Sequence, residues 1–212
     1  MDNIIGIILA AGYSSRMGEF KMTRVLLNLP VIEHLIQNMY DTCNKILIVT
    51  GFQYEKLWYL EKKYQKVKLV FNQNYPKGMF TSVLAGLEYG NAKRYFITPG
   101  DYPAIRAITF RYLAAFNDDI CLPAYKGKTG HPVLLSKRSR NELLKGQFYS
   151  LEQFIKRHPV KTVPVNDAGI LMDIDNPSDF MKLEAFLRVR KNDHNDNRRY
   201  QLRENNSIHR NI

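Results

Sequence analysis

The stretch that decides the fold is Asn3-Ile4-Ile5-Gly6-Ile7-Ile8-Leu9-Ala10, followed by Ala11-Gly12-Tyr13-Ser14-Ser15-Arg16-Met17-Gly18-Glu19-Phe20-Lys21. The first part is an unbroken apolar run without polar alternation, which is typical of a parallel strand buried on both faces. The second part is a polar loop that contains glycine. Because ligands of open α/β sheets bind beyond the carboxyl ends of the strands, this loop is the first candidate site.

Strand-like and helix-like patterns alternate along the rest of the chain. Apolar runs predict further strands at 45–50, 67–71, 95–97, 120–122, 132–135 and 160–165. Helical spacing of apolar residues predicts helices at 32–39, 57–64, 80–87, 150–158 and 180–187. Asn176 and Pro177 suit the cap and the first turn of the last helix. This alternation predicts an α/β fold with a mostly parallel central sheet.

Composition favours one globular domain and an anionic partner. Of the 212 residues, 45% are hydrophobic, and this share excludes global disorder. The formal net charge of +11 favours an anionic partner. We predict a single domain at 1–190 and a basic, disordered tail at 191–212. A nucleic-acid partner is disfavoured because the basic residues of the tail do not interleave with aromatic residues.

Targeting and redox signals favour the cytoplasm. We find no apolar run of about 20 residues, so no membrane-spanning helix is predicted. A basic segment is missing before the apolar run at 4–11, which argues against a signal peptide. Cys43 and Cys121 form neither a disulfide framework nor a zinc motif, and we expect both to be buried and reduced.

The first loop is suited to a polyphosphate. Its small residues let successive backbone N–H groups approach an anion closely, and we expect contacts at Ala10, Ala11, Gly12 and Ser14. Arg16 and Lys21 add fixed positive charge. An ordinary polar loop with two solvated cations is the alternative. The loop matches neither the phosphate-binding pattern G-x-x-x-x-G-K-[ST] nor the dinucleotide pattern G-x-G-x-x-G.

Carboxylates follow two later segments. Asp101 comes directly after the strand at 95–97, between Pro99 and Pro103, and a carboxylate there can hold Mg²⁺ together with substrate phosphates. Asp173 and Asp175 alternate along an extended segment, so one of them can join Asp101 on the metal. The alternative for Asp101 is a turn in which the carboxylate accepts hydrogen bonds from local amides.

Two further segments carry polar groups near predicted strand ends. Asn72, Gly78 and the start of the following helix can bind a base or a ribose. His131 stands at the entrance of a strand, where a lone histidine is usually structural or solvated, so catalysis by His131 is disfavoured.

Five motifs together resemble one family. They are LAAGYSSRMG with Lys21, NQNYPKGMFTSVLAGL, PGDYP, GHPVLL and DIDNPSD, in that order. They are similar to those of the molybdenum cofactor nucleotidyltransferase family over about residues 3–187, and most similar to its CTP-using branch. The GTP-using branch usually has LAGG where this chain has Leu9-Ala10-Ala11-Gly12. Two departures stand out: Arg24 is an added cation without an assigned role, and Asn28 replaces a turn glycine.

The resemblance implies a Rossmann-like three-layer α/β/α nucleotidyltransferase fold and transfer of CMP from CTP to the terminal phosphate of molybdopterin. It implies roles in catalysis for Arg16, Lys21 and Asp101, with Mg²⁺, or alternatively Mn²⁺, on Asp101 and Asp175. Ser82 and Gly100 join the nucleotide-binding residues. His131 and Asp173 are assigned to the acceptor pocket, and a molybdenum hydroxylase or its accessory proteins to the partners.

Other functions stay open at this point. One is a nucleotidyltransferase that uses GTP, or that acts on a sugar phosphate or another phosphorylated metabolite. Another is a non-catalytic carrier that delivers the cofactor to a molybdenum hydroxylase. Asp101, Lys21 and Arg16 argue against a protein without catalysis.

Overall fold

The computed structural model describes residues 3–190. The predicted tail at 191–212 lies outside the described residues, and the boundary at 190 stays a prediction. Within the described part, no helix is long and apolar enough to cross a membrane.

An eight-stranded sheet forms the centre of the protein. The strands of the described chain are β1 (Ile4–Ala10), β2 (Val25–Leu26), β3 (Leu29–Pro30), β4 (Lys45–Thr50), β5 (Val67–Phe71), β6 (Arg94–Pro99), β7 (Ile120–Tyr125), β8 (Lys128–Thr129), β9 (Val133–Ser136) and β10 (Lys161–Pro164). The sheet has the order β10-β7-β9-β6-β1-β4-β5, with β8 paired to β7. Strand β9 is antiparallel to both β6 and β7, whereas β1 pairs in parallel with β4 and β6. The predicted, mostly parallel sheet is therefore confirmed.

Helices cover both faces of this sheet. They are α1 (Val31–Met39), α2 (Tyr59–Lys63), α3 (Met79–Tyr89), α4 (Ala107–Ala114), α5 (Lys137–Lys145), α6 (Leu151–Lys156) and α7 (177–190). The helices α4 and α5 are absent from the sequence prediction. Asn176 caps α7 as predicted, because its Oδ1 accepts a hydrogen bond from the Asp179 backbone N–H at 3.1 Å.

The side chains of β1 are apolar on both faces of the sheet, and helices cover both faces. Ile4 and Ile8 face one apolar cluster, which includes Leu35 of α1 and Phe110 of α4. The alternate positions Ile5, Ile7 and Leu9 face a second cluster, which includes side chains of α3, α5 and α6. Because successive side chains of a strand point to opposite faces, an unbroken apolar run buries both faces. The fold is the predicted three-layer α/β/α arrangement.

The cysteines are buried and free, as the sequence predicts. Burial raises the pKa of Cys43 to about 12, so its thiol stays protonated near neutral pH. The turn between β2 and β3 differs in detail from the expected one. Leu27, rather than Asn28, has the positive φ, at 57°.

Candidate active site

The first loop leaves β1 next to the loop that leaves β6. Leu9 is in register with Pro99, so both segments emerge side by side at the carboxyl edge of the sheet. The first loop folds on itself: Ser14 has φ 54°, and its hydroxyl accepts a hydrogen bond from the backbone N–H of Lys21 at 3.3 Å. This bond fixes the backbone from which Lys21 extends.

Arg24 has a structural role. Its guanidinium lies 4.0 Å from the centre of the Phe180 ring on α7, and it pairs with Glu19 at 3.2 Å. A cation over an aromatic face is attracted by the ring quadrupole. Arg24 thereby holds the segment after the first loop against α7.

Lys21 lies at the centre of the site. Its ammonium donates to Asp101 Oδ2 at 2.5 Å and to the carbonyl oxygen of Ile174 at 2.9 Å. Asp175 Oδ1 is 3.9 Å from the same nitrogen. The side chains of Lys21 and Asp101 are only 15% and 14% exposed, so water screens their attraction weakly. Three segments that are distant in sequence therefore meet at one cation.

Arg16 pairs with the second carboxylate. Its two guanidinium nitrogens lie 2.9 Å and 3.1 Å from the oxygens of Asp175, which is a bidentate contact. The Arg16 side chain is 71% exposed, so this contact is more easily exchanged than the Lys21–Asp101 pair. Both predicted phosphate-binding cations thus face carboxylates.

A cleft of about 370 Å³ opens beside Lys21. Seven of its lining residues are among those predicted to bind nucleotide: Ala10, Ala11, Gly12, Lys21, Gly78, Ser82 and Asp101. The sequence prediction missed its other lining residues: Leu9, Tyr13, Met22, Tyr75, Pro76, Met79 and Pro99. Tyr13 packs against Phe52 and Tyr75, with ring centres 5.2 Å and 5.5 Å away, so aromatic rings form one wall.

Helix α3 begins at this cleft. Gly78 precedes it with φ 112°, a backbone region that favours glycine, and both Gly78 and Met79 line the cleft. The first N–H groups of a helix have no partner within the helix and carry partial positive charge. Together with Lys21, this helix end gives the cleft the electrostatic character of an anion site.

Three residues predicted to bind nucleotide have hydrogen-bond partners within the chain. Asn72 is buried and donates to the hydroxyls of Thr81 and Ser82 at 2.8 Å and 2.9 Å, while its Oδ1 accepts from the Asn74 N–H at 2.9 Å. Asn72, Ser14 and Gly100 are not among the residues that line the cleft, and neither is Arg16, which lines the depression beside Asp175.

Gly100 is a packing position. Its N–H donates to the Leu9 carbonyl at 2.9 Å, and a Cβ atom there would lie 2.6 Å from Met22 Sδ. The glycine lets Met22 pack under the loop that carries Asp101.

His131 lines a second cleft of about 620 Å³. Leu9, Met79 and Pro99 line both clefts, so the two adjoin. Burial lowers the pKa of His131 to about 4, although the nearby Asp101 charge acts in the opposite direction. The ring contacts Tyr102 edge to face, with centres 4.7 Å apart. His131 is therefore neutral near pH 7.

The apolar part of this second cleft comes from the strands and helices that flank β6. Its walls include Phe80, Val83, Ile97, Leu122, Val133, Leu151 and Ile155. Thr129, Ser150, Glu152 and Lys156 add polar groups. A largely apolar cleft with a few polar groups suits a ring-containing ligand.

Asp173 is the other residue assigned to the acceptor pocket. It lines a shallow depression with Arg16, Asp175, Asp179 and Lys182, not the second cleft. Burial raises the pKa of Asp173, and the negative charges of Asp175, Asp101 and Asp179 raise it further. The two residues assigned to the acceptor pocket thus line different depressions, and that assignment stays a prediction.

Asp101 has an oxygen suited to a cation. Its Oδ1 is buried and accepts no hydrogen bond from the described residues. Residues 3–190 contain no group of three or more His, Cys, Asp or Glu side chains that could hold a metal ion. Mg²⁺ needs only one or two carboxylates when substrate phosphates complete its shell, so Asp101 with Asp175 fits such an ion.

Comparisons with known proteins agree with this geometry. A nucleotidyltransferase from Methanothermobacter thermautotroptrophicus superposes with a TM-score of 0.77 at 20% identity, over 89% of this chain and 100% of that one. The molybdenum cofactor cytidylyltransferase of Escherichia coli is 32% identical, over 85% of this chain and 95% of its own length. A probable molybdenum cofactor guanylyltransferase of Carboxydothermus hydrogenoformans is 26% identical, over 90% of this chain and 100% of its own.

The fold is therefore that of the Methanothermobacter nucleotidyltransferase. Residues 6–162 match the MobA-like NTP transferase domain. The chain therefore belongs to the MobA-like NTP transferase family, and it is an enzyme rather than a non-catalytic carrier.

Proposed function

We propose that this protein transfers CMP from CTP to the terminal phosphate of a molybdopterin-type acceptor and releases pyrophosphate. The observation that carries the proposal is the junction of two clefts at the carboxyl edge of the sheet, with Lys21 and Asp101 in the first and His131 in the second. A transfer between two substrates needs two adjoining sites whose reacting phosphates meet.

The first cleft binds the nucleotide in this proposal. Backbone N–H groups of Ala11 and Gly12 and the start of α3 contact the nucleotide, while the Ser82 hydroxyl lies where a base edge or ribose can reach it. Lys21 and Arg16 bind the triphosphate and stabilise the negative charge that develops on the departing pyrophosphate.

Asp101 and Asp175 would hold Mg²⁺ or Mn²⁺, which neutralises phosphate charge when bound. The chain's own contribution is to hold both phosphates in line and to exclude water. The acceptor phosphate is already ionised near neutral pH, so the reaction needs no strong base. His131, whose pKa is lowered to about 4, is a weak base and forms part of the acceptor wall instead.

The second cleft binds the acceptor. Its apolar walls suit a fused ring system, and Thr129, Glu152 and Lys156 supply polar groups. The acceptor pocket in this proposal contains His131 but not Asp173, which belongs with Asp175 near the first cleft.

Two observations favour CTP over GTP. The E. coli cytidylyltransferase is 32% identical to this chain, whereas the C. hydrogenoformans guanylyltransferase is 26% identical. Ala11, which is 6% exposed and lines the first cleft, also adds a methyl group where LAGG proteins have glycine. GTP is the second candidate, because the match to the guanylyltransferase covers 100% of that protein and 90% of this chain.

The test is pyrophosphate release with Mg²⁺ and either CTP or GTP, with and without molybdopterin that carries molybdenum. We expect release that depends on both CTP and the acceptor. Equal or faster release with GTP would contradict the assigned nucleotide, and release with a sugar phosphate alone would contradict the assigned acceptor. A cytoplasmic location and a molybdenum hydroxylase as partner stay predictions from the sequence.

A further inference from the structure

Cations of the protein itself neutralise both carboxylates of the proposed metal site. Lys21 donates to Asp101 Oδ2 at 2.5 Å and lies 3.9 Å from Asp175 Oδ1. Arg16 holds both oxygens of Asp175 at 2.9 Å and 3.1 Å. A divalent cation that binds these carboxylates must therefore share them with Lys21 or displace it.

Burial makes this exchange unfavourable for a metal ion alone. The Lys21 side chain is 15% exposed, and its ammonium has a further partner in the Ile174 carbonyl, 2.9 Å away. An ammonium separated from its carboxylate here would be a poorly solvated, unpaired charge. A divalent cation beside it would add repulsion between like charges at short range and low screening.

We propose that Lys21, assisted by Arg16, makes the site selective for a metal ion bound to a triphosphate. The two cations weaken binding of the free metal ion to Asp101 and Asp175. This inference rests on the proposed nucleotide site. When the triphosphate binds, Lys21 and Arg16 exchange their carboxylates for phosphate oxygens, and the carboxylates turn to the metal. Both cations thus determine ligand specificity in addition to stabilising phosphate charge.

The charges of the four side chains explain the selectivity. Lys21 and Arg16 cancel the charges of Asp101 and Asp175, so these four side chains are together neutral, while Asp173, Asp179 and Lys182 lie beside Asp175. A free divalent cation would add positive charge directly beside the Lys21 ammonium, and a free triphosphate would add negative charge directly beside the Asp101 and Asp175 carboxylates. The metal–triphosphate complex instead gives every charged group a partner of opposite sign, because the phosphates face Lys21 and Arg16 while the metal faces Asp101 and Asp175. Each ligand must therefore raise the affinity for the other by the same factor.

The test measures binding of Mn²⁺ to the full chain, by the loss of the electron paramagnetic resonance signal of free Mn²⁺ beyond the loss in a matched protein-free titration, without and with CTP. We expect wild-type protein to bind Mn²⁺ weakly, and CTP to tighten this binding by roughly tenfold or more. The variant Lys21→Met should bind Mn²⁺ without CTP roughly tenfold more tightly than wild type does, because the competing ammonium is gone. CTP should then tighten Mn²⁺ binding by less than about threefold.

Three further variants make the result specific. Lys145→Met removes an exposed lysine from the end of α5 and should leave Mn²⁺ affinity at the wild-type value. Lys21→Met combined with Asp101→Asn should lose the gained affinity, which places the Mn²⁺ at Asp101. Arg16→Gln changes a side chain that is 71% exposed, so we expect it to fold as wild type does and to show a smaller gain than Lys21→Met.

Two results would overturn the inference. One is a Lys21→Met variant that binds Mn²⁺ no more tightly than wild type does. The other is wild-type protein that binds Mn²⁺ equally well with and without nucleotide. A GTP arm separates this outcome from failure of the proposed function. Coupling with GTP alone would contradict CTP as substrate, yet it would support the role of Lys21.

Discussion

Asn72 offers a sharp test of the site geometry, because the sequence and the structure assign it different roles. Its side chain makes three hydrogen bonds, to Thr81 Oγ1, Ser82 Oγ and the Asn74 N–H, at 2.8–2.9 Å. A neutral hydrogen bond contributes about 1 kcal/mol to stability, so Asn72→Ala should lower the free energy of unfolding by about 3 kcal/mol.

That loss corresponds to a fall in melting temperature of about 6–12 °C for a chain of this size. Urea unfolding at 25 °C gives the free energy, and calorimetric titration of the folded variant gives its affinity for CTP. We expect CTP affinity to change by less than about threefold, because Asn72 does not line the first cleft and the Ser82 hydroxyl keeps its own proton to donate when the Asn72 amide is removed.

Asn74→Ala is the matched control. Asn74 is in the same loop, but its side chain is exposed and makes no capping hydrogen bond. It should change stability by less than about 0.5 kcal/mol. An Asn72→Ala variant with wild-type stability and CTP affinity reduced tenfold or more would refute this account and restore direct contact with the nucleotide.

Three more predictions concern the two clefts. Gly51→Ala places a Cβ 2.6 Å from Tyr75 Cγ, so it should destabilise the fold by about 1–3 kcal/mol in urea unfolding and weaken CTP binding. Ala11→Gly should lower the ratio of CTP to GTP turnover, and an unchanged ratio would argue against Ala11 as a specificity residue. The His131 pKa of about 4 lies below the unfolded value of about 6.5, so stability should fall as pH drops from 7 to 4, by up to about 3 kcal/mol. His131→Gln should remove that component from urea midpoints measured across this range, and an identical pH profile would contradict burial of the neutral ring.

The sequence predicts the parallel core and the first loop well, because β1 is an apolar run that only a doubly covered strand explains. It misses α5, whose nine residues bury only Ser139 and Leu143 and therefore show no apolar stripe. It also misses the direction of β9, since the apolar run at 132–135 is compatible with either orientation.

The sequence predicts the charged residues of the site better than the clefts. Lys21, Asp101 and Asp175 stand out because each is an ionisable residue near a predicted strand end or in an extended loop. Asn72 is ambiguous from the sequence, because an amide can bind a base or its own loop, and only the tertiary structure shows which bonds are already made. The second cleft combines apolar residues that look like ordinary core, such as Val83 and Leu122, until the sheet order brings them together.

The central claim is that the first cleft holds a nucleotide whose CMP group passes to an acceptor in the second. CTP labelled at its α-phosphate tests this claim most directly, through the label recovered on molybdopterin after a single turnover with Mg²⁺. We expect label on the acceptor with wild-type protein. For Asp101→Asn we expect the rate of transfer to fall by roughly a hundredfold or more. Two results would contradict the proposed reaction: label that stays in CTP with no release of pyrophosphate, and transfer by Asp101→Asn at the wild-type rate.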